Sequence, residues 1–163
     1  MKDYSKIELN SDKSAIHEVE QFIEFIADKY NITNTYFGNM AIAITEAISN
    51  SIEHGNKNDV NKKISLEFYT ETRGLIFKIT DEGNGFDINS ISDPTDINNS
   101  DSSKGRGIFL MKSLADDIIF NELGNSIELI FSIASINAEL AARRMHQLNA
   151  YSKSIFSTST LNK

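Results

Sequence analysis

Cysteine is absent from the 163 residues, and proline occurs once, at Pro94. Without cysteine the chain has no disulfide framework, no thiolate metal site and no cysteine nucleophile, and a reducing cytosol is the expected setting. No stretch approaches the roughly 18 uninterrupted apolar residues of a membrane helix. The opening MKDYSKIELN lacks the apolar segment of a secretory signal, so the protein is expected to remain cytoplasmic, away from membranes. Basic residues are the minority, 16 Lys and Arg against 23 Asp and Glu, for a net charge of −7. That balance argues against direct nucleic-acid binding, which requires clustered Lys and Arg. No internal repeat is visible.

Apolar residues make up 40% and charged residues 24%, ordinary proportions for a globular protein of one domain. Residues 134–163 carry Arg143, Arg144, Lys153 and Lys163 against Glu139 alone. This segment is therefore net positive while residues 1–133 are strongly acidic, which marks a boundary between a domain over 1–133 and a helical tail over 134–163. In the tail Ile136, Leu140, Leu148, Tyr151 and Ile155 recur at near-helical spacing.

Tyr4 to Leu9 reads as a short strand, followed by Asn10-Ser11-Asp12, whose side-chain oxygens can cap a helix starting near Asp12. Ile16, Val19, Phe22, Ile23 and Ile26 then form one buried face, and that helix ends around Tyr30-Asn31. A second helix starts after Thr33, carries Met40, Ile44, Ile48 and Ser51 on one side, and closes at Gly55. Ile64–Thr70 and Leu75–Asp81 are expected to pair as a hairpin around Glu71-Thr72-Arg73-Gly74. Glu82 to Lys104 is polar and rich in Asp, Asn, Ser and Gly, as in a long lid-like loop. A helix over Gly105–Leu114 and a hairpin of Ile118–Leu123 with Ser126–Ile133 complete the order β-α-α-β-β-α-β-β. The predicted fold class is α+β, a two-layer sandwich in which a mixed, mostly antiparallel sheet carries its helices on one face.

Three constellations stand out. Glu46 and Asn50, four residues apart in TEAISNSIEHG, share a helix face, with Glu53 near the same stripe and the small Ala43 and Ala47 beside it. An amide oxygen can ligate Mg2+, and a neighbouring carboxylate can accept a hydroxyl proton. A polar stripe is equally the solvated face of a helix. In Asp81-Glu82-Gly83-Asn84-Gly85-Phe86, period-two alternation puts Asp81 on the face of Leu75, Phe77 and Ile79. A carboxylate facing an apolar layer needs a donor, and the adenine amine is a suitable one; the alternative is a glycine turn capped by Asp81. Ser103-Lys104-Gly105-Arg106-Gly107-Ile108 opens a helix, where free amides and two cations can meet an anion or simply form a flexible first turn.

Taken in order, Glu-x-x-x-Asn on a helix, Asp-x-Gly-x-Gly after a strand and Gly-x-Gly before a helix resemble the Bergerat-type ATP-binding pattern of the histidine-kinase-like ATPase superfamily. Residues 5 to 133 carry the resemblance. TEAISNSIEHGN, DEGNGFD and GRGIFLMKSLAD are most similar to the anti-sigma-factor serine/threonine kinases. The resemblance implies ATP and Mg2+ as cofactors and phosphoryl transfer to protein. Glu46 would be the catalytic base, Asn50 the Mg2+ ligand and Asp81 the adenine reader. Gly83, Gly85, Gly105 and Gly107 would shape the pocket, with Lys104, Arg106 and Ile108 in its wall. Ser126 in GNSIEL stands where the family usually has threonine, and would reach adenine through water. His54 follows the family pattern, and also suits a helix C-terminus. Implied partners are a sigma factor or other effector and a small antagonist protein that receives the phosphate on Ser or Thr; a homodimer is compatible with the pattern. Phe131 and Ser132 replace the basic residue that often ends the family's last strand. A nucleotide-gated binding module with little catalysis is the alternative reading.

Overall fold

The computed structural model describes residues 3–87 and 103–132, together with Ala134, Asn137, Ala142, Met145 and His146. The order is β1 (Tyr4–Asn10), α1 (Ala15–Lys29), α2 (Asn34–Asn50), a π-helical turn (Ser51–Gly55), β2 (Lys63–Glu71), β3 (Gly74–Asp81), α3 (Ser103–Leu114), β4 (Asp117–Phe120) and β5 (Ser126–Phe131). The strands form one sheet in the order β1-β2-β3-β5-β4, and all four pairings are antiparallel. Most of the lid-like stretch, 88–102, and most of the tail lie outside the described residues; Asn137, Ala142, Met145 and His146 in the tail are helical and exposed.

Apolar periodicity accounts for the layers. Val19, Ile23 and Ile26 of α1 and Met40, Ile44 and Ile48 of α2 are fully buried against Leu9, Leu66, Phe68, Phe77 and Leu129 of the sheet. Ile16 and Phe22 pack at the rim of this core. Tyr30, Phe68, Phe77, Phe131 and Tyr36 run through it as successive ring pairs, with centroids 5.2 to 6.1 Å apart and no pair stacked flat, as the ring quadrupole favours.

Local chemistry sets the element ends. The Thr33 side chain accepts from the Tyr36 amide and caps α2. Asp12 accepts the Ser14 amide at 2.7 Å just before α1, which starts at Ala15, three residues later than the sequence suggests. The β2–β3 turn is tight, Glu71 facing Gly74, and Gly74 has φ +145°. A side chain at Gly74 would strike the Phe131 carbonyl, so the approach of β5 also demands glycine. Behind the sheet Tyr69 donates to Glu128 at 2.9 Å, and Ile76 faces Ile130; both isoleucines are buried. The face away from the helices therefore has an apolar patch within a polar surround.

Candidate functional site

The end of α2, the end of β3, the β4–β5 turn and α3 enclose a cavity of ≈ 490 Å³. Asp81 sits in its wall at 8% exposure. The Gly83 amide donates to Asp81 Oδ1 at 2.8 Å. Burial pushes the Asp81 carboxyl pKa up, against the opposing pull of the Gly83 amide, the Ser51 hydroxyl and the charge of Lys62. The carboxylate is thus only partly compensated by the protein groups around it and has acceptor capacity left for a ligand donor.

Glycines make that position accessible. A Cβ on Gly55 would overlap the Asp81 carboxylate, and one on Gly83 would overlap the Gly55 carbonyl. The backbone at Gly55 reaches Asp81 because α2 widens into a π turn, closed by the Asn56 amide bonding the Ser51 carbonyl at 2.7 Å. The α-helical reading through to Gly55 therefore stops at Asn50, and such a local widening is a feature of functional sites.

Two asparagines hold the walls in place. Asn56, 1% exposed, donates to the Lys63 carbonyl at 3.0 Å and accepts from the Glu82 amide at 2.9 Å, tying the π turn to the start of β2 and the turn after β3. Asn121 Oδ1 accepts from the amides of Gly124, Asn125 and Ser126 at 2.9 to 3.1 Å. The Asp81 amide donates to the Asn125 carbonyl at 3.0 Å, so this turn is bonded directly to β3. Gly85 and Gly124, both in the left-handed region, interlock: side chains there would run into the carbonyls of Leu123 and Phe86. Phe86 packs edge-on against Phe120. Neither asparagine has a recognisable signature in the sequence, because each acts on amides that only the fold brings near it.

Of the expected residues, Asn50, Asp81, Gly85, Gly105, Ile108 and Ser126 line the cavity. Gly83 packs behind Asp81. Glu46, half-buried, lies next to Asn50 under α3: a Cβ on Gly107 would overlap Glu46 Oε1 and come within 3.1 Å of Asn50 Nδ2. Gly105 and Gly107 stand inside α3, which begins at Ser103, and not ahead of it. Helix interiors disfavour glycine by about 1 kcal/mol relative to alanine, and the close approach to Glu46 explains why it is there. Arg106 is exposed and outside the cavity wall, and the Lys104 side chain lies outside the described residues. Ser126 pairs its hydroxyl with that of Thr80 at 2.8 Å. The register Thr80↔Ser126 puts both on the face away from Asp81, so that hydroxyl is not turned towards the carboxylate. Sequence reasoning did not assign Ser51, Ile79, Phe86, Asn125 or Ile127 to the site, and they complete much of the wall.

A family model for the histidine kinase-like ATPase domain matches residues 9–131, the stretch from β1 through β5 that builds this cavity. The chain belongs to the histidine kinase-like ATPase family. Among curated relatives it is similar to the serine-protein kinase RsbW of Bacillus subtilis, 24% identical over 122 residues, 71% of this chain and 76% of that protein. RsbW proteins of Bacillus cereus match at 26% identity over 160 residues, 93% of this chain and 99% of the relative, and at 29% over 126 residues, 72% and 78%. The fold is shared with a crystal structure of the RsbU and RsbW domains of a Mycobacterium tuberculosis protein, at TM-score 0.52 and 14% identity, covering 80% of this chain and 32% of that one. The similarity supports a place among the anti-sigma-factor serine kinases of this ATPase family. Among the described residues no helix is long and apolar enough to cross a membrane.

Proposed function

We propose that the chain binds ATP with Mg2+ and acts as a cytoplasmic serine/threonine protein kinase of the anti-sigma-factor type, holding an effector protein and phosphorylating a small antagonist. The observation that carries this reading is Asp81: a buried carboxylate with spare acceptor capacity, at the wall of a cavity that Asn50 also lines. Adenine fits, because its exocyclic amine is a donor and its flat ring can lie against Ile79, Met111 and Ile127. Among the described residues no cluster of three His, Asp or Glu forms a metal cage. Mg2+ usually takes few protein ligands and completes its shell with phosphate oxygens and water. Asn50 would supply the amide oxygen to the metal, which neutralises phosphate charge when bound.

In this mechanism the residues of the chain position and deprotonate. Asp81 fixes the base, the glycines at 55 and 83 allow its close approach, and Asn56 holds both segments in register. Glu46, one helical turn before Asn50, accepts the proton of the antagonist's Ser or Thr hydroxyl as that oxygen attacks the terminal phosphorus and the bond to the diphosphate breaks. The placement of Gly107 over the Glu46 carboxylate favours a second reading, the nucleotide-gated module, because α3 covers the carboxylate assigned as the base. Titration with ATP and GTP in the presence and absence of Mg2+, followed by transfer of labelled phosphate to a captured antagonist, separates the two. ATP-selective binding without transfer to any captured partner refutes the kinase and leaves the gated module. Binding with no preference for ATP refutes the pocket assignment.

A further inference from the structure

We propose that residues 134–146 of the chain's own tail dock as a helix across the outer face of the sheet, over the row that Tyr69, Ile76 and Ile130 form there. The proposal is independent of the nucleotide reading. The strand register places Tyr4, Tyr69, Ile76, Ile130 and Asp117 side by side across all five strands, on the face away from α1, α2 and α3. Tyr4 and Asp117, at the ends of the row, are exposed, yet Ile76 is 0% and Ile130 3% exposed. In the next row Ile119, beside Glu128, is 39% exposed. Isoleucines on an outer sheet face are shielded from water only where something lies over them. Tyr69 and Arg73 both reach Glu128 across β3 and cover Ile76 in part. Ile130 lies beyond β3, and its neighbour on the other side is the exposed Asp117, so its cover comes from elsewhere in the chain. Burial is likewise the chief cause that raises the pKa of the Tyr69 hydroxyl.

The stretch 88–102 departs from the cavity end of β3, the end opposite to Ile76, whereas the tail departs beside Ile130. Ser132 shares the face of Ile130 by strand alternation, and Asp116 accepts its amide at 2.8 Å. The Ser132 hydroxyl in turn accepts the Ala134 amide at 3.2 Å, so the chain bends on the outer side of β5 where the helical residues begin. At about 100° per residue, the exposed helical residues Ala134, Asn137, Ala142, Met145 and His146 occupy one half of a helix. Ile136 and Leu140 belong to the other half, with Arg143 beside them. Residues 134–146 as a helix span about 20 Å, enough to cross β5, β3 and β2 at about 4.8 Å per strand. Charge agrees with this placement. Glu67, Glu71, Glu128 and Asp117 stand around the apolar row, and the tail is the net positive part of the chain, with Arg143 and Arg144 one turn beyond Leu140.

The test uses the whole chain. The docked tail should resist trypsin at Arg143 and Arg144. Ile136→Asp combined with Leu140→Asp sets two carboxylates on the apolar row and should speed cleavage there about tenfold or more, while circular dichroism still reports a folded domain. Because the protein has no cysteine, Leu140→Cys and Lys78→Cys can be joined by a short bis-maleimide. The link should form within one chain, and adding Ile136→Asp should cut its yield about fivefold or more. Equal cleavage of wild type and variant, or a link untouched by Ile136→Asp, means a free tail whose apolar side is left for a separate protein, and overturns the proposal. A link that joins two chains makes a second copy the occupant and overturns it too. Should the double aspartate variant fail to fold, amide exchange over 134–146 in the wild type decides: slowing of about tenfold or more relative to a free peptide supports docking, and free-peptide rates refute it.

Discussion

Replacing Asp81 by asparagine should make the ligand-free protein more stable while removing most of its affinity for ATP. The carboxylate is 8% exposed, and its pKa is raised chiefly by burial, with the Gly83 amide and Ser51 hydroxyl compensating only in part. Asparagine keeps the shape and keeps an oxygen for the Gly83 amide, yet carries no charge to desolvate. The gain should be on the order of 1 kcal/mol, the low end for an imperfectly satisfied buried group, or about 2–4 °C in Tm for a domain of this size. The amide nitrogen would meet the adenine amine donor to donor, and loss of a hydrogen bond to a charged acceptor costs about 1.5–3 kcal/mol, or roughly ten- to a hundredfold in Kd. ATP at about a hundred times the wild-type Kd stabilises the wild type by about 2.7 kcal/mol; for a hundredfold weaker variant the figure is about 0.4 kcal/mol. Thermal unfolding with and without Mg·ATP reads both effects. The pH dependence gives a further check. Because the folded-state pKa of Asp81 is raised, its charge destabilises the fold above that pKa, and the deficit relative to Asp81→Asn closes as pH falls through it towards the ordinary value of 3.8. A variant with lower ligand-free Tm, or with wild-type ATP affinity, refutes the reasoning.

Glu46→Gln should leave ATP binding intact by calorimetry while lowering phosphate transfer by about 10²–10⁴, and equal transfer by both proteins would remove Glu46 as the base. Asn50→Ala should abolish the Mg2+-dependent part of ATP affinity and spare the part measured in chelator. Gly107→Ala gains about 1 kcal/mol of helix propensity but drives a methyl group into the Glu46 carboxylate; transfer should fall with little change in Tm, and unaffected transfer would show that α3 moves clear of Glu46. Asn56→Ala leaves the Lys63 carbonyl and Glu82 amide without a partner and should lower stability by about 2 kcal/mol and ATP affinity with it, seen as a shifted denaturation midpoint.

What the sequence disclosed well was periodic. The three- and four-residue recurrence of Val19, Ile23, Ile26 and of Met40, Ile44, Ile48 set the buried faces of α1 and α2, and the alternation Leu75-Phe77-Ile79 carried Asp81 to the helix side of β3. These patterns are legible because burial on one side of a regular element leaves a period in the chain. The π turn was not legible, since Ser51–Gly55 continues a helical pattern and departs from it only where Gly55 is drawn to Asp81. Nor was the direction of the Ser126 hydroxyl, fixed by its registration opposite Thr80, 46 residues away. The asparagines at 56 and 121 escaped for the same reason: a buried amide acquires meaning only from backbone groups across the fold.

Much of the cavity is shaped by missing side chains. At 55, 83, 85, 107 and 124 a single added carbon would meet a carboxylate or a backbone carbonyl, so glycine at each permits a close contact between separate segments. Three of these contacts converge on groups with proposed chemical roles, two on Asp81 and one on Glu46 with Asn50. The other two lock the turn after β3 to the β4–β5 turn. The two sets differ in consequence. Gly85 and Gly124 also need positive φ, so substitution there strains the backbone with or without ligand. Gly55 and Gly107 have ordinary backbone angles, and the obstacle to a side chain is the very group a ligand would engage. Alanine at 85 or 124 should therefore act first on folding, and alanine at 55 or 107 first on binding and transfer, which makes the pocket separable from the scaffold that holds it.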